Sequence, residues 1–278
     1  MASLPPGLVW LASYPKSGNT WMRVLLANLL ANGDRPQNIN ALPEEEHLIS
    51  RWRFADETLI EPDLLSQKEM ASLRRAQADY VAATVTKAFV CKTHARFDEE
   101  VLGRSARCAI YLVRDPRDAA ISMSHHMGVS LDETIARMTD PAAHTATPLQ
   151  IRTRIGDWAG HVGAWTDQNV LPVLTVRYED LRTDTAASLS RVVAFLGGEA
   201  TEAQIQRAVG YSGLEELQRQ EEARGFRERL AHQKRFFRSG LVGEWRDVLT
   251  ESQLSVVEQH GLKVMKRWGY SRALDDQG

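Results

Sequence analysis

The 278-residue chain predicts an α/β fold: one domain, residues 1–278, with a central parallel sheet flanked by helices. Three observations carry that expectation. Strand-length apolar runs recur four times, helical patterns separate them, and polar residues suited to chemistry follow each run. Alternation of this kind marks a parallel sheet covered on both faces.

The first run, Leu8–Tyr14, is near-continuously apolar rather than alternating, as a strand buried on both faces is. Trp21, Val24, Leu25 and Leu29 then share one face of a helix. The second and third runs, Ala88–Cys91 and Cys108–Val113, and the fourth, Val170–Val176, have the same buried-strand character. After the fourth, Leu189, Val192, Val193 and Leu196 again share a helical face. No internal repeat or low-complexity linker divides the chain, and its length is ordinary for one α/β domain.

The composition, 43% hydrophobic and 25% charged, is that of a globular protein. A net charge of −2 asks for neither nucleic acid nor an anionic membrane as partner. Cys91 and Cys108 sit in short apolar runs and read as buried free thiols, too few for a disulfide framework or a zinc site. The N-terminal stretch lacks the basic segment and apolar core of a signal peptide. No apolar run reaches the ~18 residues of a membrane span. A cytoplasmic protein is expected.

In open α/β sheets ligands bind at the carboxyl ends of the strands, so the residues after each run matter most. The first run leads into Pro15-Lys16-Ser17-Gly18-Asn19-Thr20, with a helix beginning at about Thr20. Small residues let backbone N–H groups curl around an anion, the helix N-terminus adds its dipole, and Lys16 adds a full charge. This is a P-loop-like cradle, although the nucleotide P-loop places its lysine after the second glycine and here the lysine comes first. The plainer alternative is a strand-to-helix turn with a capping hydroxyl. The third run delivers Arg114, where a P-loop kinase has a metal-binding aspartate. Arg114 suits a bidentate grip on phosphate. Asp115 and Asp118 beside it keep a metal open, and also offer Arg114 an ordinary ion pair. Ser122, farther along, is placed to donate to the same anion.

Taken together these segments resemble the cytosolic-type sulfotransferases, which use 3′-phosphoadenosine 5′-phosphosulfate (PAPS), and the chain reads as a bacterial-like small-molecule member. Tyr14–Trp21 is similar to that family's 5′-phosphosulfate loop. Arg114-Asp115-Pro116-Arg117-Asp118 with Ser122 resembles its 3′-phosphate motif, and Phe237–Trp245 its C-terminal Arg-x-Gly-x-x-Gly-x-Trp loop. Gly156-x-Trp158-x-x-His161-Val162-x-x-Trp165 and Tyr178-Glu179-Asp180 match further segments, in family order across almost the whole chain. The resemblance implies that Lys16, Ser17, Gly18, Asn19 and Thr20 hold the 5′-phosphosulfate. Trp21 would stack on or flank the adenine, with Tyr178 and Ser212 lining the base. Arg114, Ser122, Arg238, Ser239 and Gly240 would bind the 3′-phosphate. Lys92 would contact the sulfuryl oxygens and His94 would be the catalytic base, with Lys16 and Lys92 sharing in catalysis.

The chemistry suits these residue types. Sulfuryl transfer, like phosphoryl transfer, is in-line, loose and driven by positioning and charge stabilisation. A hydroxyl acceptor must lose its proton, which a histidine can take. Charge grows on the leaving 5′-phosphate, where a lysine and helix N–H groups help most. The transferring group carries a single negative charge, so no metal is expected. Taken alone, His94 reads more readily as a structural residue; its place in Lys92-Thr93-His94, directly after an apolar run, together with the other motifs, reverses that and favours the catalytic role. His125 and His126 are expected at the acceptor pocket or in solvent, His161 in helix packing, and the Trp158/Trp165 pair in the core.

Several features depart from the family pattern. Asn19 stands where many members carry threonine. Ser239 replaces a basic residue, which Lys234 or Arg235 would then have to supply. The family's small dimer motif fits only loosely between Arg246 and Ser255, so that contact is expected to be absent, leaving monomer or dimer open. The charged stretch Glu215–Arg238 reads either as a solvated helix or as a mobile lid. The acceptor pocket is expected from Gln37–Tyr80, His125–Thr147 and that stretch, for a small hydroxylated molecule: a phenol, secondary metabolite, lipid or sugar. Two other readings compete. One is a nucleoside-triphosphate-dependent small-molecule kinase. The other is a nucleotide-binding scaffold without catalysis, against which Lys16, Lys92 and His94 weigh.

Overall fold

A computed structural model of the protein describes residues 2–42, 48, 50–102, 104–145 and 150–273. Four strands form the main sheet: β1 (Gly7–Ser13), β2 (Ala88–Thr93), β3 (Cys108–Val113) and β4 (Val173–Arg177), in the order β2-β1-β3-β4 and all parallel. Each matches an apolar run of the sequence. The run at Val170 becomes strand only at Val173; the carbonyl of Pro172 already accepts from Ala109, but the proline has no N–H to contribute to a ladder. The second run extends two residues further than expected, so Lys92 and Thr93 are in register with Leu11 and Ala12 of β1.

The period of two along each strand divides the core into two layers. Leu8, Trp10, Ala12 and Tyr14 of the β1 segment and Ala109, Tyr111 and Val113 of β3 pack with Trp158, Trp165 and Met265. The intervening Val9, Leu11, Cys108, Ile110 and Leu112 pack with Met22, Leu25, Leu29, Leu189, Val192 and Val193. Every residue of β3 is buried, and all but the first of β1. Fully burying one large aliphatic or aromatic side chain contributes ~1.5–3 kcal/mol, so these two strands anchor the fold. Both cysteines are buried free thiols.

This order creates a switch point. From β1 the chain passes to β2 on one side and then to β3 on the other, so the loops after β1 and β3 part around a crevice. Helix α1 (Asn19–Ala31) follows β1, α2 (Pro116–Met127) follows β3, and α3 (Trp158–Thr166) carries the tryptophan pair. Helix α4 (Leu214–Arg224) ends at Gly225, and the chain to Glu244 is irregular. The charged stretch is therefore helical only in its first half, and even there Leu217, Gln220 and Glu221 are buried rather than solvated.

Candidate active site

The loop after β1 is bent by two left-handed residues, Lys16 (φ 68°) and Gly18 (φ 96°). Glycine is required at position 18 twice over: for its φ, and because a Cβ there would lie 2.7 Å from the Tyr178 ring. Gly18 caps α1 without a side-chain hydrogen bond, and no acidic residue occupies the first turn, so the helix start keeps its positive character. Asn19 donates through Nδ2 to the Leu11 carbonyl (3.0 Å) and to Ser13 Oγ (3.2 Å). The buried Ser17 Oγ and Asn19 Oδ1 have no hydrogen-bond partner among the described residues. Lys16 Nζ lies 4.3 Å from the centre of the Phe236 ring. Burial, then the charges of Lys92 and Arg114, lowers the Lys16 ammonium to about 8.

Beside this loop, β2 ends at Lys92-Thr93 and delivers His94. His94 Nδ1 lies 2.8 Å from the Ser13 carbonyl and 3.2 Å from Ser13 Oγ. A carbonyl only accepts, so the proton is on Nδ1 and Nε2 carries a free lone pair. Burial first, then the charge of Lys92, pushes the imidazolium down to about 3, so the ring is neutral at ordinary pH. His161, expected in helix packing, is wholly buried but also donates from Nε2 to the His94 carbonyl (3.2 Å) while its Nδ1 accepts from Tyr111 Oη (2.8 Å). Two side chains from the sheet and α3 thus fix the His94 backbone.

Across the crevice, Arg114 does not form the ion pair with a neighbouring aspartate that the sequence left open. It donates to the carbonyls of Lys16 (3.1 Å) and Leu241 (2.9 Å) and lies 4.2 Å over the Tyr178 ring, with its buried Nε unpartnered among the described residues. The aspartates are committed elsewhere. Asp115 caps α2 and pairs with Arg117 at 2.7 Å, while Asp118 accepts from the backbones of Gly243 (2.7 Å) and Trp245 (3.0 Å). Among the described residues, no group of three His, Cys, Asp or Glu side chains is placed to hold a metal. Ser122, half-buried, lies one helical turn beyond Asp118 on the same side of α2.

The remaining positions also gather here. Trp21 packs edge-on to Tyr178 with ring centres 6.1 Å apart, and its Nε1 donates to the Ser212 carbonyl at 2.9 Å. Tyr178 Oη donates to the Gly240 carbonyl (3.2 Å). Arg238 pairs with Glu244, and the Ser239 hydroxyl is buried and has no partner among the described residues. Lys234 and Arg235 are exposed.

Over this floor lies part of the charged stretch that the sequence left open as a solvated helix or a lid, with contacts that no motif gave. Residues 226–243 form a strap whose Phe226, Phe236 and Phe237 pack with Val24, Ile39, Leu42 and Leu217. Glu221, buried on α4, accepts from the backbone of Phe236 (2.6 Å) and Phe237 (3.0 Å). His232 Nε2 bonds the His126 carbonyl at 2.9 Å. Glu228 reaches Arg23, Lys92 and Thr20. A carboxylate inside an expected phosphate site has no sequence motif; its only trace is the aromatic punctuation of an otherwise charged stretch. Of the remaining candidates, His125 is exposed, while His126 faces Phe236 edge-on (5.9 Å) and is lowered to about 4 by burial and the Lys16 charge. Within Gln37–Tyr80, Phe54 is core and Trp52 is 61% exposed. Positions 43–47, 49 and 146–147 of the expected acceptor segments lie outside the described residues.

Comparison with known proteins identifies the family and the fold. The sulfotransferase domain family model matches residues 6–269. Human sulfotransferase 2B1 is 25% identical over 274 residues, which cover 93% of this chain and 66% of the human protein, so the chain spans just under two thirds of that relative. Mouse sulfotransferase SULT7A1 complexed with PAP superposes with a TM-score of 0.62 at 20% identity, covering 97% of this chain and 87% of that one. Retinol dehydratase in complex with androsterone and the inactive cofactor PAP gives 0.60 at 22% identity, covering 93% and 80%. The two solved structures share the fold. Among the described residues no helix is long and apolar enough to cross a membrane.

Proposed function

The chain belongs to the sulfotransferase family, transferases that draw on PAPS, and we propose that it moves a sulfuryl group from PAPS to a hydroxyl of a small molecule with His94 as general base. The observation that carries the proposal is the state of His94: Nδ1–H is spent on the Ser13 carbonyl and the ring is neutral, so Nε2 is left as the proton acceptor. When bound, PAPS supplies the activated sulfuryl group. The residues present fit it. Ser17 Oγ, Asn19 Oδ1, Arg114 Nε and Ser239 Oγ are buried polar atoms without partners among the described residues, all in segments expected to hold its two anionic ends; buried polar groups ordinarily find partners.

Each side chain then has a task. His94 Nε2 takes the acceptor's hydroxyl proton as the new S–O bond forms. Lys92 balances charge on the sulfuryl oxygens. Lys16 and the α1 N-terminus stabilise charge growing on the leaving 5′-phosphate of adenosine 3′,5′-bisphosphate. Arg114, Ser122, Arg238, Ser239 and Gly240 hold the 3′-phosphate, and Trp21, Tyr178 and Ser212 the base. No step calls for a metal. Because the family model reaches from residue 6 to 269, the chain is read as one catalytic domain, and we place it in the cytoplasm. The family match leaves the kinase reading without support.

The test is incubation with PAPS and a panel of phenols, aliphatic alcohols, lipids and sugars, with mass-spectrometric detection of sulfated product. Transfer without added metal is expected for at least one hydroxyl class. ATP-dependent phosphorylation of the same panel would overturn the reading.

A further inference from the structure

The segment Arg114–Asp118 carries more charge than the proposed grip on the cofactor uses. Of its residues only Arg114 is given to the 3′-phosphate, yet Asp115, Arg117 and Asp118 are buried as well. Asp118 stands in the first turn of α2, where an acidic side chain can reach back to the cap amide. That amide, of Asp115, is already taken by Glu179 Oε1 at 3.0 Å. Asp118 reaches the C-terminal loop Phe237–Trp245 instead. Its Oδ2 accepts from the Gly243 amide at 2.7 Å and its Oδ1 from the Trp245 amide at 3.0 Å, 125 and 127 positions away in sequence. Hydrogen bonds to an ionised acceptor are roughly twice as strong as neutral ones. The loop so tied carries Arg238, Ser239 and Gly240, and left-handed turns at Gly240 (φ 60°) and Gly243 (φ 82°) bend it. Two further contacts come from residues assigned to the nucleotide: Arg114 donates to the Leu241 carbonyl (2.9 Å) and Tyr178 to the Gly240 carbonyl (3.2 Å).

Resting on the sulfotransferase reading, we propose that Asp118 is a positioning residue for the 3′-phosphate of the cofactor. It acts through the C-terminal loop, holding Arg238, Ser239 and Gly240 against Arg114 so that two segments far apart in sequence form one anion pocket. Arg114 Nε and Ser239 Oγ, both buried without partners among the described residues, lie on the two segments that Asp118 joins. A nucleotide that engages Arg114 and Tyr178 competes for their bonds to the loop, whereas it leaves the two bonds of Asp118 untouched. Asp118 is therefore the tie that keeps the loop in place when the ligand enters. The far end of the loop is braced separately. The Arg117 guanidinium lies 3.6 Å over the Trp245 ring and is itself fixed by Asp115 and Glu258, each at 2.7 Å. Trp245 also packs with Ile121 and Leu249. Weakening the Asp118 contacts should thus free the loop without unseating Trp245.

The test uses the full chain and calorimetric titration with two probes: adenosine 3′,5′-bisphosphate, and adenosine 5′-monophosphate, which lacks the 3′-phosphate. The isosteric variant Asp118→Asn offers one acceptor oxygen to two amides and sets an NH₂ group against an N–H. It should bind the bisphosphate roughly tenfold more weakly, the loss expected for a charged hydrogen bond, with the monophosphate unchanged. The sign is informative, because removing a negative charge beside the pocket would by itself favour an anion; weaker binding points to lost positioning. Equal weakening of both probes would reduce Asp118 to a structural residue, and unchanged affinity for both would overturn the inference as well. If Asp118→Asn does not fold, hydrogen exchange of the wild type decides. The Gly243 and Trp245 amides should be protected in the ligand-free chain, and rapid exchange there would overturn the proposal. If the wild type shows no preference for the bisphosphate, the sulfotransferase reading itself fails; if it shows that preference and Asp118→Asn keeps it in full, only this inference does.

Discussion

The loop after β1 and the strap at 226–243 meet at the same cations, but different forces hold them. The loop is a continuation of the sheet: its backbone leaves a buried strand, turns at Lys16 and Gly18, and enters a helix, so its geometry follows from local sequence. The strap has no ladder of its own. Three phenylalanines, two carboxylates and a few carbonyls pin it, most of them to residues remote in sequence; Glu228 and Arg23 are 205 positions apart. On the proposed reading, the chemistry is built on the sheet end, while the segment over it rests on contacts that can be exchanged. This division is the usual one between scaffold and gating segment.

The sharpest way to break the comparison is at the rigid end. His94→Ala should cost on the order of 10²–10⁴ in turnover while bisphosphate affinity stays nearly intact, read by steady-state kinetics with any acceptor the panel yields. Turnover near wild type would remove His94 from the base role. Arg114 tests the seam, since it bonds both the loop, at the Lys16 carbonyl, and the strap, at the Leu241 carbonyl. Arg114→Ala should weaken bisphosphate binding by roughly ten- to hundredfold; unchanged affinity would refute its phosphate role.

A smaller effect is expected from pH. The Lys16 ammonium is lowered to about 8, and the anion binds its protonated form. Affinity for the bisphosphate should therefore be level below that pH and fall by up to ~10-fold per unit above it. The same titration of Lys16→Met should lose this step; an unaltered pH profile would mean another group titrates. The smallest effect is predicted at the strap. Glu221→Gln keeps the shape but weakens the charged acceptor for the Phe236 and Phe237 amides, so local opening of 226–243 should become easier by ~1–2 kcal/mol. Hydrogen exchange should show this in the strap and leave the loop after β1 unchanged. Equal loosening of both would contradict their independence.

The same division decides what the sequence could reveal. Strands β1 and β3 were readable because buried parallel strands announce themselves; the residues expected at their ends, Lys16–Thr20 and Arg114, and those that the family resemblance added, Trp21, Tyr178 and Ser212, lie close together in the fold, while their roles stay proposals. The expectation that Lys234 or Arg235 would replace the missing base at position 239 finds no support in the structure, where both are exposed. The dual role of His161 was hidden because a helix pattern shows which face is buried, not which carbonyl the ring meets. Glu228 and Arg23 were not singled out: Glu228 lies in a stretch whose charge fitted a solvated helix and a lid equally, and Arg23 belongs to no motif.

The most direct test of the central claim is calorimetric titration of the wild-type protein with adenosine 3′,5′-bisphosphate and with ATP, each with and without Mg²⁺. Tight, metal-independent binding of the bisphosphate, with ATP clearly weaker, is the result predicted. Preference for Mg-ATP, or binding of neither nucleotide, would contradict the assignment of Lys16, Arg114 and the strap to a sulfotransferase site.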